Sequence, residues 1–196
     1  PSESATAPQD RHFTGSLTGH LPRREGASNS RSCRLAGRAA NGVDRRSGAL
    51  ALPEKWSPEL AHYLGWLVGD GCISGNVVST VYGSEEERDE ILPRHRALAM
   101  DMNAGMEPTP SVQANGTVQL RQSRRAIVRF FEGLGVSRKK AGKKVVPETI
   151  YQAPSEISAA FLKGLFDADG CVYDGEKSCY VGLGSADAFI SAVESN

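Results

Sequence analysis

From residue 53 onward, segments with apolar residues every three to four positions alternate with segments that alternate every second position. Leu60, Tyr63, Leu64 and Leu67 recur at helical spacing behind Ser57-Pro58-Glu59. That tripeptide is a helix start, with Ser as N-cap, Pro at the first helical position and an acid in the first turn. The pattern predicts a helix that ends at Asp70-Gly71. Cys72-Ile73-Ser74 and Val77–Tyr82 then flank Gly75-Asn76, a hairpin signal. Ser84 is placed to cap a second helix over 85–102, kinked at Pro93. Residues 111–114 and 117–121 flank Asn115-Gly116, a second hairpin, and 124–132 form a further helix closed by Gly133-Leu134-Gly135. A new apolar helix opens at Ser155-Glu156 and ends at Asp169-Gly170. Behind it come a strand pair around Asp174-Gly175 and a helix start at Ser185.

The order repeats. At a constant offset of 99, Gly65-Trp66-Leu67-Val68-Gly69-Asp70-Gly71-Cys72-Ile73 faces Gly164-Leu165-Phe166-Asp167-Ala168-Asp169-Gly170-Cys171-Val172. Gly, Asp, Gly and Cys coincide, which points to two similar subdomains. Each copy carries small residues four apart, Gly65 with Gly69 and Gly164 with Ala168, on one helix face. Two such narrow stripes let helix backbones approach more closely than the usual 8–10 Å between axes. The pair would then end side by side, each with an Asp at its tip. Two carboxylates at two helix C-termini repel each other and the helix dipoles. A divalent cation between them relieves this, and Mg²⁺ is commonly held by one or two carboxylates, phosphate oxygens and water. The pattern suggests metal-assisted phosphodiester hydrolysis. Taken singly, Asp-Gly after a helix is more often a turn. An EF-hand at Asp167 is excluded, because Gly stands fourth rather than sixth in the loop and Ser178 replaces the closing Glu.

Charge refines this picture. The formal net charge is zero, which excludes a uniformly basic nucleic-acid binder, but residues 1–52 carry +4 and residues 53–196 carry −4. Within the acidic part, residues 121–144 hold nine basic residues and one acid, Glu132. That is the form of a local DNA footprint, although a solvated basic face has the same composition. Cys33, Cys72, Cys171 and Cys179 form no C-x-x-C pair and read as reduced thiols in a cytoplasmic setting. No run of about 18 apolar residues is present. Residues 1–52 are rich in Ser, Gly, Arg and Ala without apolar periodicity, and read as a disordered or remnant segment.

Leu162-Lys163-Gly164-Leu165-Phe166-Asp167-Ala168-Asp169-Gly170 is similar to the nine-residue signature of the LAGLIDADG (DOD-type) homing endonucleases, departing at Lys163 and Phe166. Tyr63-Leu64-Gly65-Trp66-Leu67-Val68-Gly69-Asp70-Gly71 resembles a looser first copy, with Val68 in place of the first acid. The spacing resembles the single-chain, two-motif members. The resemblance implies an α+β fold of pseudo-symmetric αββαββα repeats, with the motif helices packed at the subdomain interface and antiparallel strands forming a DNA-binding saddle. It implies catalytic, metal-binding acids at Asp70 and Asp169, with the Gly69 and Ala168 carbonyls as further ligands of Mg²⁺. Gly65, Gly69, Gly164 and Ala168 would pack the helices. Lys144-Val145-Val146-Pro147 resembles the Lys-x-Val/Ile-Pro block of intein endonucleases, which makes Lys144 the active-site lysine. Gln119, Arg121, Arg124, Arg125, Lys139, Lys140 and Lys143 are the DNA-contact candidates, with Gln113 and Gln122 beside the same strands. Alternation places Gln119 and Arg121 on one face and Gln122 on the other.

The expected layout is residues 53–154 as a first subdomain and 155–196 as the start of an incomplete second one. The partner is a double-stranded DNA target, without a membrane, and the full-length form is a monomer. Neither Pro1 nor Ser195-Asn196 resembles a splice junction, so the chain reads as a fragment, or a decaying element, of a larger intein. Two other readings stand beside the nuclease. One is a LAGLIDADG module that binds nucleic acid without cutting, as a regulator or splicing cofactor. The other is a fragment known by its interrupted host enzyme, such as a ribonucleotide reductase. Retention of both Asp70 and Asp169 favours cleavage.

Overall fold

The computed structural model describes residues 50–138, 144–175 and 178–183. The expectations for residues 1–49, for Lys139, Lys140 and Lys143 and for the helix start at Ser185 lie outside the described residues.

Helix α1 (Pro58–Asp70) begins as its sequence dictates, with the Leu60 amide donating to Ser57 Oγ at 3.2 Å. It runs directly into strand β1 (Gly71–Ser74), which pairs with β2 (Val77–Tyr82) through a two-residue Gly75-Asn76 turn. Gly75 supplies the positive φ, +57°, that this tight reversal requires. A second hairpin joins β3 (Ser111–Val112) to β4 (Val118–Gln122). Asn115 Oδ1 braces its turn by accepting from the Thr117 amide and hydroxyl, and Gly116 takes φ +83°. The four strands form an antiparallel sheet in the order β1-β2-β4-β3.

Between the hairpins the helical segment opens on a variant of the capping box. The Glu87 amide donates to Ser84 Oγ, and the Glu87 carboxylate accepts from the Gly83 amide at 2.6 Å. The irregularity expected at Pro93 falls one turn earlier. Glu87–Ile91 widens to π geometry before helix α2 (Leu92–Met102) resumes. Proline lacks an amide hydrogen and its ring crowds the carbonyl four residues back, so a widened turn accommodates both defects without a sharp bend.

Helix α3 (Arg125–Gly133) follows β4, then a short helix α4 (Glu148–Tyr151), then α5 (Ser155–Asp169). The last described elements are β5 (Gly170–Gly175) and β6 (Ser178–Leu183), an antiparallel pair whose reversal falls just after the expected Asp174-Gly175. The observed architecture is mixed helix and antiparallel sheet, as expected. Among the described residues no helix is long and apolar enough to cross a membrane.

The sequence predicts one apolar face on α1, but residues 60–68 are all buried. The reason is tertiary: α1 packs on the sheet and α2 with one side and on α5 with the other. Its contact with α5 is backbone on backbone. A Cβ added at Gly65 would collide with the Phe161 carbonyl oxygen and lie 2.7 Å from the Leu165 nitrogen. One added at Gly164 would collide with the His62 carbonyl and lie 2.9 Å from the His62 Cα. One at Gly69 would lie 2.7 Å from the Ala168 Cβ. Mid-helix glycine ordinarily destabilises by about 0.5–1 kcal/mol relative to alanine, so these glycines are retained against local preference by the packing.

Gly164→Val should therefore destabilise the fold by about 3 kcal/mol or more, because the obstructing atoms belong to backbone and cannot rotate away. Thermal unfolding should show a midpoint lowered by at least about 6 °C. Gly83→Ala, where the nearest atom is 3.9 Å from the new Cβ, should leave the midpoint within about 2 °C.

Candidate functional site

The close helix contact determines where the two tips end. α1 terminates at Asp70 and α5 at Asp169, and each chain passes straight into a strand through Gly71 or Gly170. The Asp169 carboxylate reaches over to the partner helix, with Oδ2 only 3.2 Å from where a Gly69 Cβ would stand. Asp70 is exposed and Asp169 half-buried. Lost hydration raises the Asp70 carboxyl above the usual range, and the negative charges of Asp169 and Glu87 raise it further, while Lys144 pulls it down. Burial likewise raises Asp169, again opposed by Lys144. The two predicted acids thus share one electrostatic environment with the predicted lysine.

Lys144 fills a gap in α1. The last turn of that helix has no basic residue of its own, although its carbonyls carry partial negative charge. The Lys144 ammonium supplies the charge from outside the helix, donating to the carbonyls of Val68 at 2.8 Å, Gly69 at 2.6 Å and Gly71 at 2.8 Å. An ammonium has three N–H donors, and three carbonyls accept them. Two expected site groups meet in these contacts. The Gly69 carbonyl, expected as a metal ligand, is a hydrogen-bond acceptor for Lys144. Lys144, expected near a phosphate or attacking water, fixes the end of the helix that bears Asp70.

The remaining candidates separate by burial. On β4, Val118, Leu120 and Gln122 face inward, whereas Gln119 is half-buried and Arg121 exposed on the opposite face. Arg121 pairs in register with Ser79, which pairs with Cys72, and Gln119 lies between Ser111 and Val81. These rows are the outer face of the sheet. Gln122 is not on it: it is buried, and its Nε2 donates to the Tyr63 hydroxyl at 3.1 Å. Arg124, expected to contact DNA, is also buried, with Nη2 lying 3.6 Å from Met106 Sδ. It precedes α3 at the point where the chain turns inward from β4, so its side chain packs under the loop. Arg125, one residue on, is exposed, and so is Gln113, which is engaged with Ser111.

Sequence reasoning passed over a row of buried polar groups beside the same seam. His62 on α1, His95 on α2, Tyr82 and Thr80 on β2, and Asp167 on α5 are joined by side-chain hydrogen bonds. A signal was present. In the offset of 99, His62 stands against Phe161 and Asp167 against Val68, so a polar pair on one side of the seam replaces an apolar pair on the other.

Residues 156–190 match the family model described as LAGLIDADG-like domain. Curated proteins with similar segments include the tRNA-splicing ligase RtcB of Pyrococcus abyssi, 31% identical over 63% of this chain and 15% of that protein. The RtcB of Methanopyrus kandleri is 29% identical over 74% of this chain and 16% of its own length. The ribonucleoside-diphosphate reductase NrdEB subunit alpha of Bacillus subtilis is 30% identical over 62% of this chain and 12% of its own. The matched segment is thus a small part of each of these relatives. Among solved structures, the homing endonuclease I-DmoI in complex with DNA and Ca aligns over 58% of either chain, with 22% identity and a TM-score of 0.43. The family match takes in nearly all of α5 and the hairpin behind it, including the more complete of the two signature copies, so this part of the chain is similar to a LAGLIDADG-like domain.

Proposed function

We propose that this domain is a site-specific DNA endonuclease of the homing type, embedded in an intein. The observation that carries the reading is the meeting of two glycine-packed helices whose terminal acids, Asp70 and Asp169, lie within one electrostatic environment beside Lys144. Lys144 offsets only part of the cost of two carboxylates at neighbouring negative helix ends, since both remain raised above the usual range. Two partly desolvated carboxylates fit a hard divalent cation such as Mg²⁺, with phosphate oxygens and water completing its shell. Bound there, the ion would stabilise charge developing on the attacking and leaving oxygens of a scissile phosphodiester. The chain's own residues hold this geometry. Gly65 and Gly164 bring the helices together, Lys144 fixes the end of α1, and Asp70 and Asp169 supply the oxygens.

The outer face of the four-stranded sheet, with Arg121, Gln119 and Ser111, is the surface offered to double-stranded DNA. A two-stranded or wider antiparallel ribbon fits the major groove, where Arg and Gln can read base edges. The intein setting is supported by the kind of relatives found. Similar segments occur as small parts of an RNA ligase and a ribonucleotide reductase, which share no chemistry, as an inserted element would.

Plasmid cleavage with Mg²⁺ tests the reading, using the full intein that contains this chain. Asp70→Asn and Asp169→Asn should each lower double-strand cleavage by at least about a hundredfold, in line with loss of a metal-oxygen ligand. In chelator, the same variants should unfold up to about 2 °C above the unaltered protein, since each relieves a repulsion that solvent partly screens. Normal cutting of both strands by either variant would end the catalytic assignment.

Lys144→Met should lower stability by about 1–3 kcal/mol, because three carbonyls at the end of α1 lose their donor. Lys144→Arg should recover part of that loss if capping is the role, and chemical denaturation of the three proteins measures it.

A further inference from the structure

With both imidazoles neutral, the polar row beside the helix seam has one consistent hydrogen-bond pattern. His62 Nε2 lies 2.8 Å from Asp167 Oδ2, and His62 Nδ1 lies 3.0 Å from His95 Nε2. His95 Nδ1 lies 2.9 Å from the Tyr82 hydroxyl, which lies 2.9 Å from the Thr80 hydroxyl. Both imidazoles are buried, at 2% exposure each. Burial lowers the pKa of His62 despite Asp167, and brings that of His95 down to about 3. The charged groups facing them are Asp167 and Lys163 from α5 and Arg94 from α2. Two neutral imidazoles carry one N–H each. A carboxylate can only accept, so His62 must donate from Nε2, which leaves its Nδ1 bare. His95 must then donate from Nε2 to that nitrogen, leaving its own Nδ1 to accept from Tyr82. The Tyr82 oxygen accepts in turn from Thr80. Tyr63 accepts from Gln122 beside the same row. Every donor points the same way, from the sheet to Asp167.

Asp167 is the end of this row, and its Oδ2 also accepts from Lys163 at 2.5 Å. Burial alone would raise its pKa, but these two donors outweigh burial and lower it. Asp167 lies in the last turn of α5, two residues before Asp169, and the row ties that turn to α1, α2 and β2 at once. We propose that His62 and His95 are positioning residues that act through Asp167 to hold the tip of α5, and with it Asp169, at a fixed place against α1. The proposal rests on the nuclease reading only for the chemistry performed at Asp169.

Imidazole nitrogen-15 spectra of the chain test the row directly. At neutral pH, both rings should be neutral with hydrogen on Nε2 and none on Nδ1. A cationic His62, or an Nδ1–H form of either ring, would overturn the pattern. Tyr82→Phe removes one donor while keeping the ring. In it, His95 should keep its hydrogen on Nε2, because His62 Nδ1 still requires a donor, while its Nδ1 signal moves on losing Tyr82, and the His62 nitrogens should shift as well, although residue 82 does not touch His62. His62 signals that stay put would show that no row passes through His95. The Asp169 carboxyl carbon should also shift in Tyr82→Phe, and Mn²⁺, added alone and followed by its broadening of the Asp70 and Asp169 signals, should bind about tenfold more weakly. An unmoved Asp169 carboxyl would overturn the positioning role. If Mn²⁺ fails to broaden these signals in the unaltered chain, the nuclease reading falls, and the tautomers and the Asp169 carboxyl still decide the positioning role.

Discussion

Everything in this domain is arranged around one contact, the meeting of α1 and α5 where two glycines leave no side chain between backbones. Gly65 lies against the Phe161 carbonyl and Gly164 against the His62 carbonyl, so neither helix can slide or rotate without collision. Dispersion contacts across so small a gap are individually weak but numerous, and they fail abruptly when the gap opens. The consequence is positional. Two helices locked at mid-length have tips in a defined relation, and each tip carries an acid.

The tips are then refined by polar groups from elsewhere. Lys144 neutralises the carbonyl end of α1, which has no cation of its own. On the other helix, Asp167 is held by Lys163 from its own turn and by His62 across the seam. The seam is therefore asymmetric within a symmetric plan. Phe161 and Val68 sit in the shared apolar core, while the equivalent pair His62 and Asp167 is hydrogen-bonded. An apolar pair is tolerant of small shifts, whereas a buried hydrogen-bonded pair is not, because a broken bond leaves an unsatisfied group away from water.

What the sequence revealed follows from what periodicity encodes. Caps, turns and small-residue spacing are local signals, and Ser57, Gly75, Gly116 and the Gly65/Gly164 pair behave as their neighbours in the chain dictate. The two motif acids were legible because they recur at one offset. Burial is not local, and here reading failed. Arg124 carries a charged side chain yet turns inward at the start of α3, whereas Gln122 faces inward as strand alternation predicts. No spacing in the sequence marks His62 among the apolar residues of its helix, and only the docking of α5 and α2 on two sides gives it partners. Lys144 was placed by resemblance near the acids, but its three carbonyl acceptors depend on a chain path that no spacing rule supplies.

The bond from Lys144 to the Val68 carbonyl closes a loop of 76 residues. A contact of such wide sequence separation forms late, after the entropy of ordering the intervening chain has been overcome. During synthesis the end of α1 is made well before the donor that its carbonyls bind. The carbonyls beside Asp70 thus gain their donor only in a chain long enough to supply the lysine.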